Sequence, residues 1–222
     1  HPLPSKALCM TLSIVALLFL VLVGIYLNAR MRAARHLRII AEEKGDIAKC
    51  SGMTASIGVF YPDVNVTVIM GVSEEIGACY YRVLRDGKII NRSRINLANI
   101  RRVELLVNGE PRDIGLSSVQ ATSFLKATDV AGRILSRYSP ADLRVMQRAG
   151  LRITFTSDSG DERQLEITVL RMNDERHKFK RMELFKDAVW WAVFLGSASD
   201  NARRIKEYFE NSEVPDSEGE FS

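Results

Sequence analysis

Apolar positions along this chain fall into three regimes, and the first is the longest. From Ala7 to Leu27 the sequence reads ALCMTLSIVALLFLVLVGIYL, without one charged residue. A helix of about 20 apolar residues crosses a hydrocarbon core of ~30 Å. In lipid a lone segment can satisfy its backbone groups only as a helix. A membrane helix is therefore expected over residues 7–27, with residues 1–6 as a short stub before it.

The second regime is helical and polar. Residues Asn28 to Lys44, NARMRAARHLRIIAEEK, are good helix formers, and Gly45 reads as a stop. With no break at Leu27, one rod of about 38 residues and ~57 Å is expected, lifting the remainder of the chain clear of the bilayer. Leu37, Ile40 and Ala41 make a short apolar stripe on it, suited to packing on the domain or on a second copy.

In the third regime the period drops to two and β-branched residues dominate. Strands are expected at Ser56–Tyr61, Asn65–Met70, Cys79–Leu84, Lys88–Ile95, Arg101–Val107, Leu151–Ser157 and Gln164–Leu170. Asp86-Gly87 is the strongest hairpin signal among them. Helices interrupt and close the series. One is expected over Ser117–Tyr138 and a second from the cap Ser139-Pro140-Ala141-Asp142 to a stop at Gly150. A last one runs from Lys186 to Phe209, with a kink or break at Gly196-Ser197.

Near the end, Val169-Leu170-Arg171-Met172-Asn173-Asp174 is followed by Phe179, Leu184-Phe185, Ala188 and Trp190-Trp191. A last strand ending in Asn-Asp, then a helix with an early Ala-x-x-Trp, resembles uncharacterised bacterial membrane-anchored proteins whose soluble part is pleckstrin-homology-like (PH-like). The resemblance covers Ser56–Phe209, and the helical insert between the fifth and sixth strands departs from the ordinary barrel. It implies an α+β chain: an N-terminal transmembrane helix, then a PH-like seven-stranded barrel or sandwich with a helical insert and a C-terminal helix. The domain would span residues 55–211, after a juxtamembrane helix and linker at 28–54. Such a fold hosts lipid binding, peptide binding and scaffolding alike, so it does not settle function.

Charge adds orientation. Lys6 is the only basic side chain before the apolar stretch, whereas Arg30, Arg32, Arg35 and Arg38 come after it with no acid until Glu42. Arginine is held on the cytoplasmic side during insertion, which sets the domain in the cytoplasm of a cell (inner) membrane. A cleaved signal peptide would need its basic flank on the other side. Net charge is +4, yet Glu210, Glu213, Asp216, Glu218 and Glu220 sit in a tail with no base, so the body of the chain is markedly basic. The tail, residues 212–222, has too little to bury and is expected to be disordered.

Candidate chemistry is sparse. Cys9, Cys50 and Cys79 form no C-x-x-C pair and no disulfide framework, as suits a reducing compartment. There is no metal spacing, phosphate loop or dinucleotide fingerprint, so no cofactor is expected. Past the span, His36 and His177 are the only histidine bases. A dyad of Cys50 or Cys79 with His177 competes with reading Cys79 as a small buried hydrophobe. Asp158, Asp161 and Glu162 read as a polar turn rather than a calcium site. Of the adjacent Trp190 and Trp191, one ring is expected in the core and the other over an edge.

The feature that carries most functional weight is basic. Arg82, Arg85, Lys88, Arg92, Arg94, Arg101 and Arg102 stand against Asp86 alone. Guanidinium forks suit phosphate, although a solvated sheet face that discourages aggregation explains the same pattern. Nucleic acid is disfavoured, because no aromatics interleave with these charges. The expectation is a non-enzymatic binding or adaptor protein, recognising a protein partner or anionic lipid at the membrane face. The alternative is an enzyme of the hydrolase class whose site leaves no motif.

Overall fold

The computed structural model describes residues 6–49, 52–112, 114 and 124–212. Most of the acidic tail and the first part of the helix expected from Ser117 lie outside them. Helix α1 (Lys6–Ala48) is unbroken. It is the one helix among the described residues long and apolar enough to cross a membrane. Gly45 lies inside it rather than after it. Ile47, just beyond, is almost fully buried, and Lys49 N–H still bonds to Gly45 O at 3.1 Å. Packing of Ile47 outweighs the ~1 kcal/mol that a helical glycine costs.

Among the described residues eight strands come next, in two open antiparallel sheets of four, where seven in a barrel or sandwich were expected. β1 (Met53–Tyr61), β2 (Val66–Ser73), β3 (Ala78–Arg85) and β4 (Lys88–Asn96) form a meander. A 3-10 turn at Pro62–Val64 joins β1 to β2, and another at Leu97–Asn99 leads to the second sheet. That sheet has β5 (Ile100–Val107), β6 (Glu110–Arg112), β7 (Arg148–Thr156) and β8 (Glu162–Arg171), in the order β6-β5-β7-β8. The additional strand is β6. It is three residues long and contains Pro111, which only an edge tolerates. Its turn, Asn108-Gly109, has φ of 55° and 89°, the geometry of a two-residue hairpin.

Between β6 and β7 lie α2 (Phe124–Leu135) and α3 (Pro140–Val145). The cap of α3 is as expected: Ser139 and Asp142 satisfy each other's backbone N–H in a capping box. The helix ends early, though, and Gly150 belongs to β7. A Cβ there would lie 2.2 Å from Ile167 O and 2.7 Å from Thr168 Cα, so the glycine admits the β8 backbone at a bulge. After β8 comes the single turn α4 (Glu175–Lys178), then α5 (Arg181–Ser212).

The core joins inward residues of both sheets to α5. Val68, Met70 and Val72 meet Leu105, Leu151, Ile153, Ile167 and Val169, with Phe185, Ala188, Val189, Ala192 and Phe194 from the helix. Each large side chain so buried contributes ~1.5–3 kcal/mol. α5 passes through Gly196-Ser197 without a break. Gly196, Ser197, Ala198 and Ser199 are all buried. Their small size lets the helix run close to the Leu97–Asn99 turn and β5, and Ser199 Oγ donates to Gly196 O at 2.8 Å. Trp191 is buried, while Trp190 is half-buried, stacks on Phe194 and donates to Thr128 Oγ1 at 3.2 Å.

Candidate functional site

β2 reads VTVIMGVS, apolar on both faces, so its outer face needs a cover. The cover is the last third of α1. Ile69 and Leu84 pack with Ile47, and Ile39 and Met53 flank them. Glycines make room: a Cβ on Gly71 would be 2.4 Å from Ile47 Cγ2, and one on Gly58 would be 2.9 Å from Ile40 Cγ2. Arg82, opposite Ile69 in the sheet, pairs with Glu43 of α1, and both side chains are more than four-fifths buried. The helix does not lift the domain clear of the apolar stretch. It lies along the sheet, antiparallel to β1. Of the expected stripe, Ile40 faces the sheet, whereas Leu37 and Ala41 are exposed.

Followed back toward the apolar stretch, the contact ends in a cleft of about 880 Å³. One wall is α1 from Ile25 to Arg32. The other is the near end of the domain: Phe60, Pro62, Asn65, Asp86 and Asn173–Arg176. Asn65 and Asp86 both adopt positive φ, and their side chains hydrogen-bond, clamping the β1–β2 turn to the β3–β4 turn.

Arg171 fixes the other half of this end. It is buried, stands over the Tyr61 ring at 4.6 Å, donates to Phe60 O at 3.1 Å and pairs with Asp63 at 3.3 Å. Thr168 N–H donates to Tyr61 Oη at 2.8 Å, so the end of β1 is tied to β8. Asp174 caps α4 and receives both Nε (2.9 Å) and Nη2 (2.5 Å) of Arg176. That fork holds its carboxyl well below the usual range, at about 2. Arg176 in turn covers the Phe60 ring at 5.5 Å. His177 Nδ1 accepts the Arg171 N–H at 3.0 Å, and burial pushes its pKa down. Past this turn stands Phe179, 96% exposed, and across the end Val64 is 61% exposed.

The seven basic positions read from the sequence separate into three groups. Arg85 and Lys88 flank the Asp86-Gly87 turn, both exposed, at the end nearest the apolar stretch of α1. Arg82, Arg92 and Arg94 share the outer face of the first sheet: Arg82 is spent on Glu43, and Arg94 stands over Tyr80 at 5.8 Å. Arg101 and Arg102 belong to the second sheet. Arg101 donates to Thr156 Oγ1 at 3.1 Å, and Arg102 begins an ion ladder through Glu104 and Arg152 to Glu166. Of the flanking arginines, Arg38 pairs with Glu42 at 2.7 Å and Arg32 lines the cleft.

Cys50 lies outside the described residues, and Cys79 and His177 do not meet. Cys79 is fully buried in β3 beside the β2–β3 turn, its thiol pushed up to about 12 by burial, while His177 is at the opposite end of the fold. Residues Ser157–Asp161 form a closed turn in which Ser159 Oγ donates to Asp161 Oδ2 at 2.7 Å. Among the described residues no cluster of His, Cys, Asp and Glu could hold a metal ion. A comparison with protein-family models, curated proteins and solved structures finds no match for this chain.

Proposed function

We propose that this chain is a single-pass, non-enzymatic binding protein of a bacterial cell membrane. Its PH-like domain lies on the cytoplasmic side and recognises anionic lipid at that surface, where its basic outer sheet can also engage an acidic protein partner. The PH-like reading is supported by two four-stranded antiparallel sheets with a C-terminal helix packed into the core. Orientation is supported by the four arginines after the span against Lys6 before it.

One observation carries the lipid reading: α1 docks on the sheet, so the end of the domain that bears Arg85, Lys88, Val64 and Phe179 is level with the last apolar turn of the span. Each cation near an anionic leaflet contributes ~1 kcal/mol, and the effect fades over ~8 Å at physiological salt. Arg85 and Lys88 flank Asp86, which shares a cleft with Ile25 of the last apolar turn, and this favours their lying inside that distance; exposed Phe179 and Val64 would add apolar contact with the interface.

The test uses the full chain reconstituted in liposomes that carry brominated acyl chains. Tryptophan emission from a Phe179→Trp variant is expected to be quenched in anionic bilayers, over the unquenched background of Trp190 and Trp191. Adding Arg85→Ser and Lys88→Ser is expected to weaken the quenching. An unquenched signal from the introduced indole in anionic bilayers would overturn the reading.

A further inference from the structure

Around the cleft between α1 and the domain, the charges are not those of the surface that surrounds it. Arg85 and Lys88, next to the cleft-lining Asp86, are exposed cations. Inside, Arg32 and Arg176 face Asp86, Asp174 and Glu175. Arg176 and Asp174 neutralise each other through their two-point contact. What remains is a single cation on the helix wall, Arg32, and two carboxylates on the domain wall, Asp86 and Glu175. Arg32 makes no hydrogen bond or ion pair among the described residues. Asp86 uses one carboxylate oxygen on Asn65 and keeps the other, and Glu175 binds only Lys178, on the surface.

The height of the cleft is set by α1. Ile25 belongs to the last apolar turn, Asn28 is the first polar residue after it, and Arg32 is one turn further. From Ile25 to Arg32 the helix rises ~10 Å. A head-group layer is ~5–7 Å deep on each side of the hydrocarbon core, so the cleft covers it from acyl boundary to water. Volumes of ~300–1,000 Å³ are those of ligand sites.

Resting on the membrane-anchored reading above, we infer that the cleft binds one phospholipid whose head group carries both a phosphate and a primary ammonium, of the phosphoethanolamine type. The phosphate meets Arg32, with the Asn28 and Asn173 amides beside it. The ammonium donates to Asp86 and Glu175, and the acyl chains leave along Ile25. A guanidinium suits the phosphate oxygens and an N–H donor suits the carboxylates. A phosphoglycerol head group offers the carboxylates only neutral hydroxyl donors, about half as strong as a charged N–H. A phosphocholine head group brings a cation that has no N–H to give.

The full chain, purified in mild detergent, is exposed to equal amounts of phosphatidylethanolamine, phosphatidylglycerol and phosphatidylcholine and weighed by native mass spectrometry. One retained phosphatidylethanolamine per chain is expected, in several-fold preference to either competitor. Arg32→Ser is expected to reduce retention about tenfold, the loss of one charge-assisted contact. Asp86→Asn suits the same left-handed turn position and is expected to abolish the preference over phosphatidylcholine, as is Glu175→Gln. Equal or stronger retention of either competitor, or wild-type retention by Arg32→Ser and Asp86→Asn, would overturn the proposal. Anchoring is read separately, by flotation of the chain with liposomes after an alkaline wash. A chain that floats yet shows no such preference refutes the site alone, and one that fails to float refutes both.

Discussion

Glu43 of the long N-terminal helix and Arg82 of β3 form an ion pair across the outer face of the first sheet, with both side chains largely out of water. The pair does for orientation what the apolar contacts beneath it cannot. Ile39, Ile40 and Ile47 would tolerate the helix sliding by a turn, but a paired charge would not. Removing one partner strands the other in a poorly solvated site.

Either Glu43→Leu or Arg82→Met alone is expected to lower the stability of the domain by ~1–3 kcal/mol, below the ~3–5 kcal/mol of a fully buried pair. The double variant Glu43→Leu with Arg82→Met should recover most of the loss. Denaturant melts of the four proteins in detergent check the cycle. Additive losses in the double variant would show that the two side chains do not interact.

Because α1 covers Ile69 and Leu84, a soluble fragment beginning at Thr54 should behave worse than one beginning at Arg35. It exposes both side chains and leaves Arg82 without Glu43. The shorter fragment is expected to aggregate or to melt ~2–8 °C lower, as a loss of ~1–2 kcal/mol makes a domain of this size do. Equal melting temperatures would mean that the helix is not part of the folding unit.

Two glycines separate rigid from yielding surroundings. Gly150→Ala drives a Cβ into the β8 backbone, at 2.2 Å from Ile167 O, and nothing there can move without breaking the ladder. Gly71→Ala meets the ends of Ile47 and Met53 side chains, at 2.4 and 2.9 Å, which can shift at an overpacking cost of ~1–3 kcal/mol. Gly150→Ala is expected to fold poorly or not at all. Gly71→Ala is expected to fold while loosening α1, seen as faster proteolysis between residues 44 and 54.

Acid should loosen the end of the domain in two steps. His177 accepts the Arg171 N–H, and its folded pKa lies below the ordinary imidazole value, so its contribution is complete above pH ~6.5 and is lost as pH falls through the folded value. Asp174, held at about 2 by Arg176, contributes fully above pH ~4 and loses that contribution as pH falls toward 2. Denaturation midpoints measured from pH 7 to about 2.5 should show both limbs. Asp174→Asn should remove the lower limb and deepen the upper one, because the carboxylate 3.8 Å from His177 Nε2 favours the charged imidazole, whereas His177→Asn should remove the upper one.

Much of this architecture is legible in the chain. The span, the Asp86-Gly87 hairpin, the capping box at Ser139 and seven of the strands follow from periodicity and turn chemistry. Helix stops are less legible: Gly45 lies in open space yet inside α1, held there by the packing of Ile47, whereas Gly150 and Gly196 are buried against partners remote in sequence. The docking of α1 does leave a trace. β2 lacks alternation and, like β1, carries a glycine in mid-strand, the mark of a strand covered on both faces by something that comes close. The basic residues group by proximity in sequence, yet β4 and β5 belong to different sheets, so Arg101 and Arg102 part from the rest. Arg171, a lone charge at the end of an apolar strand, signals a buried partner but cannot say that Asp63, more than a hundred residues away, supplies it.

An unbroken α1, fastened to the sheet by Ile40, Glu43 and Ile47, makes the span and the domain a single lever. Membrane helices tilt to match the thickness of the hydrocarbon around them, by up to ~40°. A flexible linker after a span would absorb that rotation. Here no hinge separates the span from the sheet, so each degree of tilt turns the domain by the same degree. In the membrane-anchored reading proposed above, a thinner membrane presses one edge of the domain toward the head groups and raises the other, so that bilayer thickness becomes a variable that the exposed surfaces would report.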